Sequence, residues 1–431
     1  MPNLRDAWFD TKIERAFIKW SRGFFSIQEL EASFVLKLVF GATIVSHLVT
    51  FSSWSASVAT TRDAFERGSY LCWPYLQNCG DWLLLRTLPE GYSQPVLYMV
   101  FYGLMLFAAY AIYRTDWVIA HMALMPLFVW HTLVTFFLAQ SLVGNYEYYL
   151  FIFSFILLCI PHKEYFLKLA VVLFYFLATS AKIHEAWIVG TYFSSLKTGL
   201  PLIPFELIPV ATAIVMFMEM VGAWFLLSRH WVPQRVVIGF FIFFHLYSGI
   251  IVGFRYPTIV LPTLFILFGP LYRYTPAPHN IKSVVGWILV CLMLTAQSLP
   301  KWIPGDEKLT LEGNMYGLYM FESNHQCIST MRIVAKDGKV SESRDESISA
   351  RDRCDPYRYW FRIKVLCDRL PDISRIEWTF DHSINGNPFL RIVDVQNACA
   401  LDYKPLSHNP WIKTEKDNPT IIGFPVQNIY I

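Results

Sequence analysis

Charge is what this chain has least of. Asp, Glu, Lys and Arg together make up 16% of its 431 residues, against 55% hydrophobic and 17% aromatic. So little charge over such a length excludes an ordinary soluble fold, and the mean hydropathy of +0.37 points to an integral membrane protein. The net charge of +3 is too small to suggest a nucleic-acid partner. Metal-ligand spacing is missing too: there is no His-x-x-x-His, and the cysteines are too dispersed for a zinc or iron–sulfur site, so no metal is expected. The sequence holds no Gly-rich phosphate loop, no Gly-x-Ser-x-Gly elbow and no kinase signature. It shows no internal repeat, which disfavours an inverted-repeat transporter. The first 30 residues are too polar for a cleavable apolar core, so no secretory signal is expected.

What the chain does have is a series of long apolar runs. They fall at roughly 33–51, 95–113, 117–139, 147–161, 165–182, 206–228, 236–253, 257–272 and 283–299. The expected fold is an α-helical membrane protein with a bundle of about nine transmembrane helices, or eight, followed by a mostly β extracytoplasmic domain. Residues 1–32 are expected to hold an amphipathic helix on the cytosolic membrane surface, with Ile13, Phe17, Trp20 and Phe24 opposed to Lys12, Arg15, Lys19 and Arg22. Residues 33–300 would form the transmembrane domain with an outer loop over 52–94, and residues 301–431 the outer domain. Arg114, His162-Lys163, Arg229 with Arg235, and Arg273 with Lys282 fall on one side of alternating short connections. The positive-inside rule then puts the N-terminus in the cytosol and the C-terminal domain in a lumen or periplasm.

Cysteine usage agrees with that orientation. Cys159 and Cys291 fall within apolar runs, whereas Cys72, Cys79, Cys327, Cys354, Cys367 and Cys399 fall on the outer side, an even number that permits full pairing. Spacing leaves the connectivity open. In the outer domain, alternating Met331–Val334 and Ile376–Phe380 predict strands, Lys336-Asp337-Gly338 predicts a turn, and 355–369 predicts a helix.

Polar groups recur at membrane depth. Tyr175 to Trp187 delivers Lys182, His184 and Glu185 at the end of an apolar run, with Ala178, Ser180 and Ala181 leaving open volume nearby. On a continuous helix Tyr175 and Lys182 share a face, two turns apart. Lys182 reads in two ways: as a desolvated amine usable as a base, or as a side chain snorkelling to the interface. Glu219 and His245 read as a structural hydrogen-bonded pair or as groups shaping a polar cavity. His47 and His131 read as packing and interface anchors. Asn145 and Glu147 stand at a helix start.

These residues carry a resemblance. Tyr175, Lys182, Trp187 and Gly190, then Glu219, Phe244-His245, Tyr316–Phe321, Asn324-His325-Gln326, Lys336-Asp337-Gly338, Cys367 and Ser383-Ile384-Asn385 match in order, as do Cys72 with Pro74 and Asn145 with Tyr148 upstream. The chain resembles the vitamin K-dependent gamma-glutamyl carboxylase family and, more widely, the horizontally transferred transmembrane domain proteins. The resemblance implies a membrane enzyme that uses reduced vitamin K or a related quinol, oxygen and carbon dioxide to carboxylate a glutamyl peptide, with coupled epoxidation. It would make Lys182 the base that deprotonates the quinol, with Asn145 and Tyr146 assisting. Tyr175, His184, Glu219 and His245 would surround the cofactor, and His325 would face the peptide. It implies a Cys72–Cys367 disulfide, and a cationic contact to the quinol from Arg62 or Arg67. Tyr146 departs from the family, which has histidine there. A phenol does not cycle a proton readily at neutral pH. That leaves an orienting role for Tyr146, substitution by His184, or loss of carboxylation. The other expected function is a quinone- or lipid-binding membrane protein of the same fold, with a different activity or none.

Overall fold

A computed structural model describes residues 12–53, 71–79, 93–138, 145–188, 193, 200–319, 324–347, 354–384 and 388–414. They divide into two compact units interleaved along the chain, one built from 1–63, 78–176 and 218–292, the other from 64–77, 177–217 and 293–431.

The first unit is helical. It contains α1 (Lys12–Phe24), α2 (Ile27–Ala32), α3 (Phe34–Ser53), α4 (Ser93–Tyr113), α5 (Trp117–Leu133), α6 (Asn145–Cys159), most of α7 (Lys163–Ser180), α10 (Trp231–Val252) and α11 (Arg255–Phe268). Asp116 caps α5, its Oδ1 accepting the Ile119 N–H at 3.2 Å. Pro126 lies inside α5, and a π-helical turn, Val134–Leu138, follows it. Such turns re-aim side chains within an otherwise regular helix. Two lysines near the start of α7 are buried and satisfied locally. Lys163 Nζ donates to the Ile160 carbonyl at 3.1 Å. Lys168 Nζ reaches Glu164 Oε1 (2.7 Å), the Arg273 carbonyl (2.6 Å) and Thr275 Oγ1 (2.9 Å), which ties the segment after α11 to α7.

The expectation of nine transmembrane helices, or eight, is corrected here. Among the described residues four helices are long and apolar enough to cross a membrane: Phe34–Phe51, Trp117–Phe136, Trp231–Ile251 and Ile281–Trp302. Two of the others fall short by length, Asn145–Cys159 and Arg255–Phe268 being apolar but shorter, and α7, of 18 residues, carries Lys163, Glu164 and Lys168. A helix of 15 residues such as α6 rises only about 22 Å, against a hydrocarbon core of about 30 Å. The apolar run at 206–228 is not one helix: α9 (Ile208–Met220) ends and a tighter 3₁₀ segment, Gly222–Leu227, continues it. Four candidate spans still make this a multi-pass membrane protein.

The second unit contains the short helices α8 (Glu185–Ile188) and α13 (Glu307–Thr310) and a four-stranded antiparallel sheet, β1 (His325–Ala335), β2 (Val340–Ser347), β3 (Ile373–Ile384) and β4 (Leu390–Val395), in the order β2-β1-β3-β4. The sheet is open, with β2 and β4 at its edges, and is not a barrel. Along β3 the buried Ile376, Trp378 and Phe380 alternate with more accessible neighbours, the period-two pattern of a strand with one face in a core. Trp378 donates its indole N–H to Ser329 Oγ at 3.0 Å. The helix α14 (Pro356–Arg369) begins with Asp355 capping the Tyr357 N–H at 2.9 Å and proline in its first turn. It brings Tyr357 and Trp360 beside Tyr403 and Trp411. Gly338 has φ +83°, which suits the turn between β1 and β2. In α12 (Val284–Trp302) the buried Gln297 accepts the Leu318 N–H at 2.6 Å and donates to the Leu177 carbonyl at 3.0 Å. Cys327 is bonded to Cys354, and Cys367 to Cys399.

Candidate functional site: a polar relay among apolar helices

In the helical unit, three helices of almost wholly apolar sequence each contribute polar groups to one continuous chain. Ser154 on α6 lies with Oγ 3.0 Å from Nε2 of His47 on α3. His47 Nδ1 lies 2.7 Å from Nδ1 of His131 on α5. His131 Nε2 lies 3.5 Å from Oε2 of Glu147, at the start of α6. All four side chains are buried, none more than 5% exposed. Phe51 and Phe101, stacked at 3.8 Å, set their rings at right angles to that of His131 and exclude water from it.

With neutral imidazoles, the bonding between the two rings runs in one of two directions. A hydrogen bond between two Nδ1 atoms needs one donor and one acceptor. If His47 donates, its Nε2 accepts the Ser154 hydroxyl proton, and His131 turns Nε2–H toward a Glu147 carboxylate. If His131 donates, its Nε2 accepts from a protonated Glu147, and His47 Nε2–H points to Ser154 Oγ. Passing from the first to the second takes up one proton at the Ser154 end and leaves one on Glu147; loss of that proton from Glu147, with both rings returned to their first tautomers, restores the first. That is a proton relay with neutral imidazoles in both end states.

A second polar pair lies in the same unit. Tyr175 on α7 has Oη 2.6 Å from Nε2 of His245 on α10 and stacks on Phe241 at 3.9 Å. The ring of Tyr256 lies 5.7 Å from that of His245. Glu219 is buried and acts electrostatically on Tyr175 and Tyr256. Tyr175 and His245 are therefore brought together, and the partner of His245 Nε2 is a phenol. Asn145 and Tyr146 are half-buried at the start of α6, and Tyr146 hydrogen-bonds the guanidinium of Arg255.

Lys182, His184, His325, Cys72 and Cys367 fall in the second unit. The helix carrying Tyr175 ends at Ser180, and Lys182 lies in the turn beyond it, its N–H accepted by the Thr179 carbonyl at 2.8 Å. The expected two-turn relation on one helix face is thereby corrected. Lys182 is 2% exposed, which removes the reading of a head held in water. Its ammonium sits 5.3 Å from the ring of Trp187, which packs with Phe193 and Ile208. His184 is half-buried and its backbone N–H is accepted by the Lys182 carbonyl at 2.9 Å. His325 opens β1 as a buried side chain, Nδ1 lying 3.0 Å from Nε2 of His382, whose own Nδ1 donates to the Leu309 carbonyl at 2.8 Å. An exposed position facing a peptide is not what β1 provides. The Cys72–Cys367 pairing is corrected: Cys367 is bonded to Cys399, across a separation of 32 residues. Cys72 is itself disulfide-bonded, and its carbonyl accepts the Tyr357 hydroxyl at 2.8 Å. Arg62 and Arg67 lie outside the described residues. Among the described residues no group of three or more His, Cys, Asp or Glu side chains has the arrangement of a metal site.

The relay is what the sequence does not disclose, since His47 and His131 taken singly fit packing and interface anchors. They lie 84 positions apart, and Ser154 lies 107 from His47. The one signal was Glu147, a carboxylate in an apolar run. No family model matches the chain, and no curated protein or solved structure does either. With that result, and with four candidate spans among the described residues in place of eight or nine, both the carboxylase function and the alternative of a quinone- or lipid-binding protein of the same fold are withdrawn.

Proposed function

We propose that the protein is a membrane enzyme of the acid–base type, which moves a proton to or from a molecule held at membrane depth, with Glu147, His131, His47 and Ser154 as its relay. The observation that supports this is the run from carboxyl to hydroxyl through two imidazoles, with hydrogen bonds of 2.7 and 3.0 Å and a longer contact of 3.5 Å at Glu147. Ionisable groups inside a membrane protein are costly and are retained where they work. Exclusion of water by Phe51 and Phe101 keeps a transferred proton from leaking to solvent. The basic residues in the short connections support a cytosolic N-terminus. The disulfides of the C-terminal region support its exposure to an oxidising lumen or periplasm.

Infrared difference spectra of the purified protein in nanodiscs, recorded between acidic and neutral pH, test the relay. A protonated-carboxyl band is expected that disappears in Glu147→Gln and shifts in His131→Asn. An unchanged band in Glu147→Gln sinks the relay. Turnover is tested by comparing membrane extracts, by mass spectrometry, from cells expressing the wild type or Glu147→Gln. At least one species is expected to accumulate or vanish with the substitution, and identical extracts count against an enzyme.

A further inference from the structure

The helical unit carries a cavity that the relay does not use. It measures about 440 Å³ and is lined by Gly23, Ser26, Gln28, Glu29, His162, Asn280, Ile281 and Lys282. That volume suits a small polar group, within the range of roughly 300–1,000 Å³ typical of ligand pockets. Its walls are held in place at some cost. Ser26 (φ +50°) and His162 (φ +58°) both adopt the left-handed conformation without being glycine, a conformation L side chains disfavour. The Glu29 carboxylate holds the backbone opposite, Oε1 accepting the His162 N–H and Oε2 the Lys163 N–H, both at 2.8 Å. Asn280 fixes the far wall by accepting the Ser283 N–H at 3.1 Å and meeting His162 Nε2 at 2.9 Å.

The charge in the cavity is therefore unequally committed. Both oxygens of Glu29 are engaged with backbone amides, while Lys282 is exposed and makes no ion pair or hydrogen bond among the described residues. The side-chain amide of Gln28 is likewise uncommitted among them. A lysine, an amide and a hydroxyl facing a polar cavity favour an anion of the phosphate type. What surrounds the cavity is apolar and open. Ile281 is 85% exposed beside Lys282, and Val285 and Ile288 continue an exposed stripe down a membrane-length helix. Trp20 and Phe24 are exposed on the surface helix that ends at the cavity. We infer that this cavity binds the headgroup of an anionic phospholipid, with Lys282 and Gln28 contacting the phosphate and an acyl chain lying along Ile281, Val285 and Ile288. A soluble phosphate has the same head and no use for the stripe.

The full chain in phosphatidylcholine nanodiscs, titrated with phosphatidylglycerol and read by native mass spectrometry and thermal shift, tests the assignment. Saturable binding of phosphatidylglycerol is expected, weakened roughly fivefold by Lys282→Gln, the worth of one interfacial cation. Lys282→Arg should retain it, Ser26→Trp should abolish it by filling the cavity, and Lys301→Gln at the other end of the helix should leave it unchanged. Equal binding by Lys282→Gln and the wild type overturns the site, as does equal weakening by Lys301→Gln. Protection by inorganic phosphate alone, equal to that by the lipid, overturns the lipid assignment.

Discussion

His131 shows how much one buried side chain can decide. Its two ring nitrogens face different partners, His47 at 2.7 Å and Glu147 at 3.5 Å. Replacing it with alanine strands both, and a buried polar group left without a partner costs about 1–3 kcal/mol. His131→Ala is therefore expected to lower the denaturation midpoint of the helical unit, and Ser154→Ala, at the end of the chain, to lower it less. Equal effects would mean that the groups do not act as a series. His382 makes a different prediction. Burial, with the neighbouring His325 adding to it, lowers its pKa to about 3. The unfolded chain then binds more protons than the folded one between about pH 6.5 and 3, so stability is full above that window and falls as the pH is lowered through it. The transition temperature of the second unit should drop on acidification from pH 7 to 4, and His382→Phe should flatten the drop. An equally steep drop in that variant would assign the effect elsewhere. Neither role was legible in the sequence, because each depends on which ring nitrogen meets which atom.

Helices and strands were more legible than the residues they carry. The 355–369 helix and the strands around Met331–Val334 and Ile376–Phe380 were readable because periodicity and capping act within a dozen residues. Helix ends were not. The chain leaves α7 at Ser180, two residues short of Lys182, and breaks the 206–228 run at Met220. Contact with distant residues decides the choice at Gly317, where a Cβ would lie 2.8 Å from Gln297 Oε1 and 2.8 Å from the Tyr319 ring. Gly317→Ala should therefore cost about 1–3 kcal/mol by overpacking, measurable as a lowered transition temperature, although the backbone at φ −123° accepts alanine. The disulfides belong to the same scale. Cys367→Ser and Cys399→Ser should abolish the same crosslink on non-reducing peptide maps. Each should remove about 3–4 kcal/mol, the loop-closure value for a sequence separation of 32. Loss of different crosslinks would contradict the pairing.

At the scale of the whole molecule, the prediction concerns sidedness. With a cytosolic N-terminus, a membrane-impermeant maleimide applied to intact cells should label a cysteine introduced at exposed Lys339 and leave one introduced at exposed Lys19 unlabelled. The reverse pattern inverts the topology. Composition alone determined that this chain enters a membrane, because the cost of burying charge and the gain from burying apolar surface are summed over residues regardless of order in space. Sequence order determined that a disulfide-bonded, strand-rich region follows the helices. Tertiary structure alone decided how many helices are long enough to cross, that Cys367 meets Cys399, and that His47, His131, Glu147 and Ser154 form one chain. The reason is that hydrogen bonds and disulfides act over a few ångströms, and which residues come that close is settled only when helices distant in sequence pack together.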